Sequence, residues 1–384
     1  MRPGSRIDTK LIHAGEPEPR IEGAVAMPVF QSTLYETSGV PAYHDIPYIR
    51  LNNTPNHIVL HAKLAALESA EAALVTASGM AAISTTLLAL LTPGDHLLVQ
   101  DCLYGGTFDF VTRDLLELGI THTFVDAADP GSWPGHLRER TRAFYVEAMS
   151  NPLLQVGDLA AVPRFAREHG LVSLIDSTFA SPVNFRPVEW GFDLSLHSCT
   201  KYLNGHSDIV AGAVIGRRGL VEKVRHKLDL LGGALDPHAC FLLHRGLKTL
   251  ALRVRHQNES TLRIARFLEA SAPVSRVNYP GLESNSSHAR ARELFSGFGG
   301  VLSFELHGGA DAAARFVEKT TLPRRTVSVG GVETLITRPA RSSHAGMYEE
   351  DRQRLGITDG LIRLAVGIED PEDLIEDLDQ ALRP

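Results

Sequence analysis

The sequence has few cysteines, no long apolar run and no excess of positive charge. Its 384 residues include three cysteines, Cys102, Cys199 and Cys240, which are too widely spaced for a disulfide framework or a closed zinc site. We expect reduced thiols, as in a cytoplasmic protein. No uncharged apolar stretch reaches the roughly 18 residues of a membrane span. Residues 1–15 also lack the apolar core of a signal peptide.

Basic residues are outnumbered by acidic ones. The 38 Lys and Arg residues stand against 45 Asp and Glu residues, which gives a formal net charge of −7. Such a chain has no basic excess with which to bind a nucleic-acid backbone or an anionic membrane. With 43% hydrophobic and 22% charged residues, the composition is that of an ordinary globular protein. We therefore expect a small-molecule function, without nucleic acid or membrane partners.

The length predicts roughly two or three domains. Residues 1–52 are rich in proline and glycine and show no sustained period, so we predict an arm that lies on another surface. From His57 to about Leu91, apolar residues at three and four spacing predict two helices. Short apolar runs, which are typical of strands buried on both faces of a parallel sheet, then alternate with amphipathic segments. These runs are 96–100, 122–125, 143–146, 171–175, 194–197 and 209–215.

Residues 53–250 therefore predict an α/β domain with a mostly parallel sheet. A long helical pattern runs from Leu247 to Ala270 and is followed by prolines, which predicts a domain boundary near residue 250. A second set of elements, in residues 251–384, forms the predicted C-terminal domain. It comprises strands at 300–306 and 361–366 and helices at 311–318 and 371–382.

Two of the predicted strands end in residues that can carry chemistry. Asp176 closes one, and Lys201 follows the next, 25 positions later. Ligands of open α/β sheets bind outside the carboxyl ends of the strands. This pair suits pyridoxal 5′-phosphate (PLP), because an amine condenses with its aldehyde while a carboxylate pairs with the pyridine nitrogen. On spacing alone, a helix-capping aspartate near a surface lysine is an equally good interpretation.

Further segments carry weaker signals. Residues 77–82 open a helix with small side chains, which lets backbone N–H groups approach a phosphate; a plain Ser78 N-cap is the alternative. Ser198 and Thr200 flank the lysine and offer hydroxyl donors to the same phosphate. Tyr104 follows a strand, where it is either a catalytic residue, with its ring stacked on a planar cofactor and its hydroxyl able to move a proton, or a core tyrosine.

Together these residues resemble a known family. Asp176-Ser177-Thr178-Phe179 and residues 197–208 (HSCTKYLNGHSD) closely resemble the cofactor-lysine signature of the Cys/Met-metabolism family of PLP-dependent enzymes. This family includes cystathionine γ-synthase, cystathionine β- and γ-lyases, methionine γ-lyase and O-acylhomoserine sulfhydrylases. The resemblance covers nearly the whole chain, through segments 77–82, 104–107, 151–152, 279–282, 330–335 and 361–367. It implies the aspartate-aminotransferase-like α/β fold, known as fold type I.

The resemblance also implies a role for each matched residue. Lys201 would bind PLP covalently and carry protons, Asp176 would pair with the pyridinium, and Tyr104 would stack on the ring. Asn151 would lie near the phenolic oxygen. Arg363 would bind the substrate carboxylate, since a planar guanidinium does so in a bidentate manner. The residues that would bind the phosphate are Gly79, Met80, Ser198 and Thr200.

The same resemblance implies an oligomer. Tyr48 and Arg50 match a Tyr-x-Arg motif that reaches the phosphate of the neighbouring subunit, so the arm would complete a partner's site. The family usually pairs such dimers into homotetramers. The following residues read Asn53-Thr54-Pro55, where the family usually has Asn-Pro-Thr.

Substrate choice depends on the segment before Gly330-Gly331. Family members that bind cystathionine commonly carry a glutamate there, whose carboxylate can meet the distal ammonium. This chain has Val327 and Ser328, which resembles methionine γ-lyase, whose substrate ends in an apolar methylthio group. Methionine γ-lyases usually carry a cysteine where this chain has Gly106, so the two markers disagree.

We predict a PLP-dependent C–S lyase that acts by γ-elimination on a sulfur amino acid, with methionine as the best candidate. Cystathionine γ-lyase and the γ-replacing synthases and sulfhydrylases are the near alternatives. The alternatives from other classes are a non-catalytic binding protein on this scaffold and a dinucleotide oxidoreductase. The set of Lys201, Asp176, Tyr104 and Arg363 argues against the first, and the lack of a Gly-x-Gly-x-x-Gly after a first strand argues against the second. We expect no metal site, because the His57/His61 pair lacks a zincin glutamate and a third ligand.

Overall fold

The computed structural model describes residues 4–39, 42 and 45–383, so a few residues of the predicted arm lie outside the described residues. Within the described part, seven strands form one sheet and five form another. The strands of the larger sheet are β1 (Ala72–Thr76), β2 (His96–Gln100), β3 (Thr121–Val125), β4 (Thr141–Glu147), β5 (Val172–Asp176), β6 (Leu194–Ser198) and β7 (Gly212–Gly216). Those of the smaller sheet are β8 (Val274–Asn278), β9 (Val301–Leu306), β10 (Arg324–Arg325), β11 (Leu335–Thr337) and β12 (Ile362–Ala365).

Helices connect and cover these strands. They are α1 (Ile7–His13), α2 (Pro55–Leu67), α3 (Gly79–Leu90), α4 (Gly105–Asp109), α5 (Leu115–Glu117), α6 (Ala161–Glu168), α7 (Ser181–Asn184), α8 (Arg218–Leu231), α9 (Pro237–Leu247), α10 (Leu250–Ala270), α11 (His288–Leu294), α12 (Gly309–Lys319), α13 (Glu349–Leu355) and α14 (Pro371–Leu382). A π-helical turn, Phe110–Asp114, joins α4 to α5. Short 3₁₀ turns lie at Ile21–Gly23, Ile49–Leu51, Trp133–His136, Pro187–Trp190 and Pro339–Arg341.

The larger sheet is mostly parallel, as predicted. Its order is β1-β7-β6-β5-β4-β2-β3, and β3, β2, β4, β5 and β6 run parallel to one another. β7 is antiparallel to both β6 and β1. A parallel return needs a crossover of a dozen or more residues, usually a helix. Residues 199–211 form turns only, so the chain doubles back beside β6.

Apolar side chains leave this sheet on both faces, as expected for strands covered by helices on two sides. Leu98 and Phe144 pack with α2 and α6 on one face. Leu97 and Tyr145 pack with α3 and α8 on the other. The carboxyl ends of the parallel strands β2, β4, β5 and β6 therefore lie at one edge of the sheet, while both faces of the sheet are covered by helices.

The smaller sheet has the order β10-β11-β12-β9-β8, with β12 antiparallel to both β11 and β9. Helices α10, α12 and α14 cover it through a core that includes Ile264, Phe316 and Leu378. This arrangement holds β12 rigidly beside the edge of the larger sheet. The division of the chain at residues 52 and 250 stays a prediction.

Three local features differ from the sequence predictions. β1 lies between the two helices predicted from residue 57 onward, because a five-residue apolar run cannot be told from a buried helix segment by periodicity. The helical pattern around residue 250 belongs to two helices, α9 and α10, separated at Lys248–Thr249. Helix α1 forms within the region where we found no period. No helix among the described residues has the length and apolar character needed to cross a membrane.

Candidate active site

A cavity of about 570 Å³ lies where the carboxyl ends of the parallel strands face the smaller sheet. Most of the predicted site residues line this one cavity, although they come from segments almost 300 residues apart. They are Gly79, Met80, Tyr104, Asn151, Asp176, Ser198, Thr200, Lys201, Val327, Ser328 and Arg363. The predicted arm residues Tyr48 and Arg50 are not among the lining residues.

Lys201 lies in the turn that follows β6. Its Nζ donates a hydrogen bond to Ser328 Oγ at 2.7 Å, and no carboxylate of the described chain forms an ion pair with it. Burial, with a contribution from the Arg363 guanidinium, lowers the pKa of Lys201 to about 8. A much larger share of this amine is therefore neutral near pH 7 than of an ordinary lysine, and the neutral amine is the nucleophile.

Ser328 connects the lysine to the smaller sheet. It has a φ of 104°, a backbone conformation that side chains other than glycine rarely adopt. Its hydroxyl accepts from Lys201, and its carbonyl accepts from Arg363 Nη2 at 3.1 Å. Backbone strain of this kind persists only where the surroundings impose it, and it is concentrated at functional sites.

Arg363 projects from β12 and is buried. Its Nη1 donates to Asn151 Oδ1 at 3.0 Å, so both of its hydrogen-bond partners, Asn151 and Ser328, are neutral. Its Nε is buried without a partner in the described part of the chain. Burial lowers the pKa of Arg363 to about 10, and the side chain stays charged at neutral pH. A charged guanidinium with an unused N–H is suited to bind a carboxylate.

Asp176 ends β5, as predicted. Its Oδ1 accepts from the backbone N–H of Thr178 at 2.8 Å. Burial raises the pKa of Asp176, and the hydrogen bonds from Thr178 partly oppose that effect. A cation placed beside this carboxylate would favour its ionised form. A protonated pyridine nitrogen is such a cation.

The N-terminus of α3 forms another wall of the cavity. Ser78 caps the helix by accepting from the Ala81 N–H at 2.9 Å, which leaves N–H groups of the first turn available to an anion. A Cβ on Gly79 would lie 2.7 Å from Ser198 Cβ, so only glycine lets this helix approach the end of β6 so closely. The Thr200 hydroxyl holds the lysine turn through Ala211, as donor to its carbonyl at 3.2 Å and acceptor from its N–H at 3.0 Å.

Tyr104 lies at the mouth of the cavity, where 41% of its surface is exposed. Its ring packs closely over the backbone of Gly106. A Cβ on Gly106 would lie only 2.7 Å from the ring and 3.1 Å from Met80 Sδ. A cysteine at this position would therefore displace the ring. This contact gives a steric reason for Gly106 in this chain.

Sequence reasoning missed two buried residues beside the cavity. Glu147 ends β4, and its Oε1 accepts from the Tyr104 N–H at 2.7 Å. The strand-end argument that found Asp176 applies equally to Glu147. His344 lies where its Nε2 reaches Asn151 O at 3.1 Å and Leu103 O at 3.3 Å. Burial lowers the pKa of His344 to about 4, so a neutral ring links these loops. No motif pointed to it.

Tyr48 and Arg50 lie outside this chain's own cavity. Arg50 Nη1 donates to the carbonyl of Asp229 at 2.8 Å, at the end of α8. Its guanidinium lies 5.4 Å from the centre of the Tyr48 ring. These two residues therefore lie apart from Lys201, Asp176 and the N-terminus of α3, which all line the cavity.

The fold and the cavity define a class of protein. A desolvated lysine, a buried strand-end carboxylate and a helix N-terminus with a glycine cradle surround a space that accommodates a planar aldehyde with a phosphate. The residues present therefore fit PLP, and the α/β architecture is that of a fold-type-I PLP-dependent enzyme. The three cysteines are free and buried. The described residues contain no cluster of three or more His, Cys, Asp or Glu side chains able to hold a metal ion.

Comparison with known proteins gives the family. The model of the family described as Cys/Met metabolism PLP-dependent enzyme matches residues 8–383, and the chain belongs to this family. A cystathionine β-lyase of Coxiella burnetii is 40% identical over 381 residues, which are 98% of each chain. An L-methionine γ-lyase of Pseudomonas putida is also 40% identical, over 98% of this chain and 96% of its own.

A solved structure gives the same result for the fold. The crystal structure of cystathionine γ-lyase from Lactobacillus plantarum, complexed with L-serine, superposes with a TM-score of 0.93. It is 35% identical and covers 98% of each chain. The predicted family and fold are confirmed: the protein is an enzyme of the PLP-dependent C–S lyase family, and PLP is its cofactor.

Proposed function

We propose that the protein catalyses γ-elimination of a sulfur amino acid, with L-methionine and water giving 2-oxobutanoate, methanethiol and ammonia. One observation carries this choice of substrate. Val327 lines the cavity, whereas the two lining carboxylates, Glu147 and Asp176, accept hydrogen bonds from backbone N–H groups at the strand ends. A methylthio group needs no ionic partner, but the distal ammonium of cystathionine would be desolvated without one.

Four of the lining residues act on the substrate or on the reacting end of the cofactor in this proposal. PLP, when bound, supplies the electron sink that stabilises the carbanion left by loss of the α-proton. Lys201 attaches the cofactor and then moves protons, for which a pKa near neutrality is favourable. Arg363 binds the substrate carboxylate through its unused N–H, with Asn151 holding the guanidinium. Ser328 orients both cations.

The remaining residues hold the cofactor. Asp176 would stabilise the protonated pyridine nitrogen, and Tyr104 would stack on the ring from the cavity mouth. Asn151 would donate from its amide to the ring's phenolic oxygen. The phosphate is bound at the N-terminus of α3 and the end of β6, by Gly79, Met80, Ser198 and Thr200.

We further propose a homotetramer whose sites are shared across a dimer. Tyr48 and Arg50 do not line their own cavity, and Arg50 bonds to the end of α8, where Leu230 and Leu231 expose apolar side chains. Mixing inactive Arg50→Ala and Lys201→Ala subunits should restore activity, because one hybrid site regains both residues. If the subunits exchange and the mixture stays inactive, the sites are not shared.

Cystathionine is the second candidate substrate, because a cystathionine β-lyase and a methionine γ-lyase match this chain at equal identity. Measuring products at subsaturating substrate separates the possibilities. Methionine yields 2-oxobutanoate and methanethiol. Cystathionine yields cysteine and 2-oxobutanoate by γ-elimination, and homocysteine and pyruvate by β-elimination.

Substituting Val327 tests the reason for the preference. Val327→Glu places a carboxylate at the distal end and should raise the ratio of kcat/KM for cystathionine to that for methionine by roughly tenfold to a hundredfold. Val327→Gln, of nearly the same size but uncharged, is the control and should shift the ratio far less. A wild-type enzyme that strongly prefers cystathionine, with a ratio unchanged by the glutamate, would contradict the proposal.

A further inference from the structure

Glu147 has no task in the proposed reaction, yet it lies in the same cavity. β4 and β5 are parallel, and their register pairs Glu147 with Asp176 as the last residue of each strand. Paired residues of neighbouring strands project from the same face of a sheet. Both side chains line the cavity. Two carboxyl groups therefore lie side by side at its base.

No opposite charge neutralises this pair directly. None of the ion pairs in the described ranges involves either carboxyl group. The titratable groups packed around the pair are Tyr145, His197, Cys102 and Cys199, and the cations facing it across the cavity are Lys201 and Arg363. Of these, the imidazole of His197 already pairs with Glu68.

Glu147 also holds the loop that carries Tyr104. Its Oε1 accepts from the Tyr104 N–H at 2.7 Å. Its own N–H donates to Gln100 Oε1 at 3.1 Å, and Gln100 Nε2 donates to Cys102 O at 2.9 Å. The loop from β2 to α4 is thus connected to the end of β4 at two points, at Tyr104 directly and at Cys102 through Gln100.

We propose that Glu147 is a positioning residue of this site: as a neutral acid beside Asp176 it leaves the pair with a single negative charge, and through its carbonyl oxygen it fixes the Tyr104 loop. The inference rests on the proposed role of the cavity as the PLP site. A pair with one negative charge balances one cationic ring nitrogen, whereas two ionised carboxylates at this distance would repel.

The surroundings favour this protonation state. Burial, followed by the neighbouring Asp176, raises the pKa of Glu147 well above its usual range. Backbone N–H donors lower the pKa of both groups, that of Asp176 through Thr178 and that of Glu147 through Tyr104 and Asn151, but the pKa of Asp176 is lowered further by the Thr178 side chain and by nearby His197. The proton therefore belongs on Glu147 when a cation lies against Asp176.

The first test needs no variant. In wild-type protein loaded with PLP, a buried protonated carboxyl gives an infrared carbonyl band at neutral pH, and labelling glutamate with ¹³C should shift that band. Absence of a protonated glutamate in a protein that binds PLP overturns the inference. A wild-type protein that binds no PLP overturns the function proposed for the cavity instead, so the two failures are distinct.

Variants test the positioning role. Glu147→Gln keeps an acceptor for Tyr104 and the same charge, so the PLP dissociation constant should stay within about threefold of wild type. Glu147→Ala removes the acceptor and should raise it about tenfold or more. The control is Asp101→Asn, at the same edge of the sheet but outside the lining, where Asp101 accepts from the Cys102 N–H at 2.7 Å. It should leave the infrared band unchanged. A Glu147→Gln protein that retains PLP as poorly as Glu147→Ala contradicts the proposal.

Discussion

Two buried charge clusters differ in how their charges are paired. In the N-terminal segment, Glu16 forms an ion pair with Arg20 at 2.6 Å. The same carboxylate lies 2.9 Å from His244, 3.5 Å from Lys63 and 3.7 Å from Lys248. We call these five residues the Glu16 cluster. The Glu16 carboxylate thus lies among three basic side chains and an imidazole whose pKa is lowered to about 4 by burial. The cluster attaches the segment after α1 to α2 and α9.

In the cavity, the cations have only neutral partners. Lys201 donates to a hydroxyl, and Arg363 donates to an amide oxygen and a carbonyl. The carboxyl groups of Asp176 and Glu147 accept from backbone N–H groups. Paired buried charges hold structure together, and breaking such a pair costs stability. Charges with neutral partners remain available to an incoming ligand, and the following changes test this distinction.

The largest effect is expected for Lys201→Ala. Activity should fall by at least about a thousandfold, because the covalent attachment and the proton carrier are both lost. The visible absorption of bound PLP should change, and borohydride should no longer fix the cofactor to the chain. Thermal unfolding should show that the fold survives. Lys223→Ala, on the exposed face of α8, is the control. A Lys201→Ala protein that keeps a reducible link and full activity would show that another residue holds PLP.

Arg363→Gln should lower kcat/KM by roughly a hundredfold to a thousandfold, since a bidentate, charge-assisted contact to the substrate carboxylate is lost. Its effect on stability should be small or favourable, because the guanidinium has no anionic partner in the chain. Steady-state kinetics and thermal unfolding measure both. The exposed Arg266→Gln is the control. A large loss of stability without a change in kcat/KM would mean that Arg363 stabilises the fold and does not bind the substrate.

Glu16→Gln should have the opposite profile. Removing one partner of a buried cluster should lower the free energy of unfolding by about 3 kcal/mol, with kcat/KM unchanged. Burial opposes ionisation of Glu16, but the surrounding cations outweigh it and lower its pKa. Its stabilisation is therefore present above the usual carboxyl range and lost as the pH falls through the lowered pKa.

Denaturant unfolding at several pH values checks this third prediction. The difference between wild type and Glu16→Gln should be largest near neutral pH and should shrink in acid. A difference that stays constant down to acid pH would mean that the Glu16 charge is not what stabilises the N-terminal segment.

Strand ends drew attention to Asp176 and Lys201, whereas Asn151, Arg363 and Val327 were assigned only through the resemblance to the family. β2 and α14 have the predicted bounds, and Asp176 and Lys201 follow buried strands that periodicity identifies. The Glu16 cluster was not predictable, because Glu16, Lys63 and His244 are far apart in the chain and only tertiary packing unites them.

Other features escaped prediction for local reasons. β1 is too short to be told from a helix segment. His344 has no sequence signal, since its role depends on carbonyl groups supplied by two distant loops. Val327 and Gly106 disagree as specificity markers, and a side chain at position 106 would displace the ring of Tyr104 from its place in this chain.

The smaller sheet supplies the substrate side of the cavity, and this has a consequence for how such an enzyme can change. Val327, Ser328 and Arg363 come from the segment that runs from β10 through β12, whereas the residues of this cavity proposed to bind PLP lie between residues 79 and 201. Under the proposed roles, mutations near residue 327 would change which sulfur amino acid is preferred and leave the residues proposed to bind PLP intact. We therefore expect that few substitutions are needed to change the substrate of this enzyme, in nature or by directed evolution.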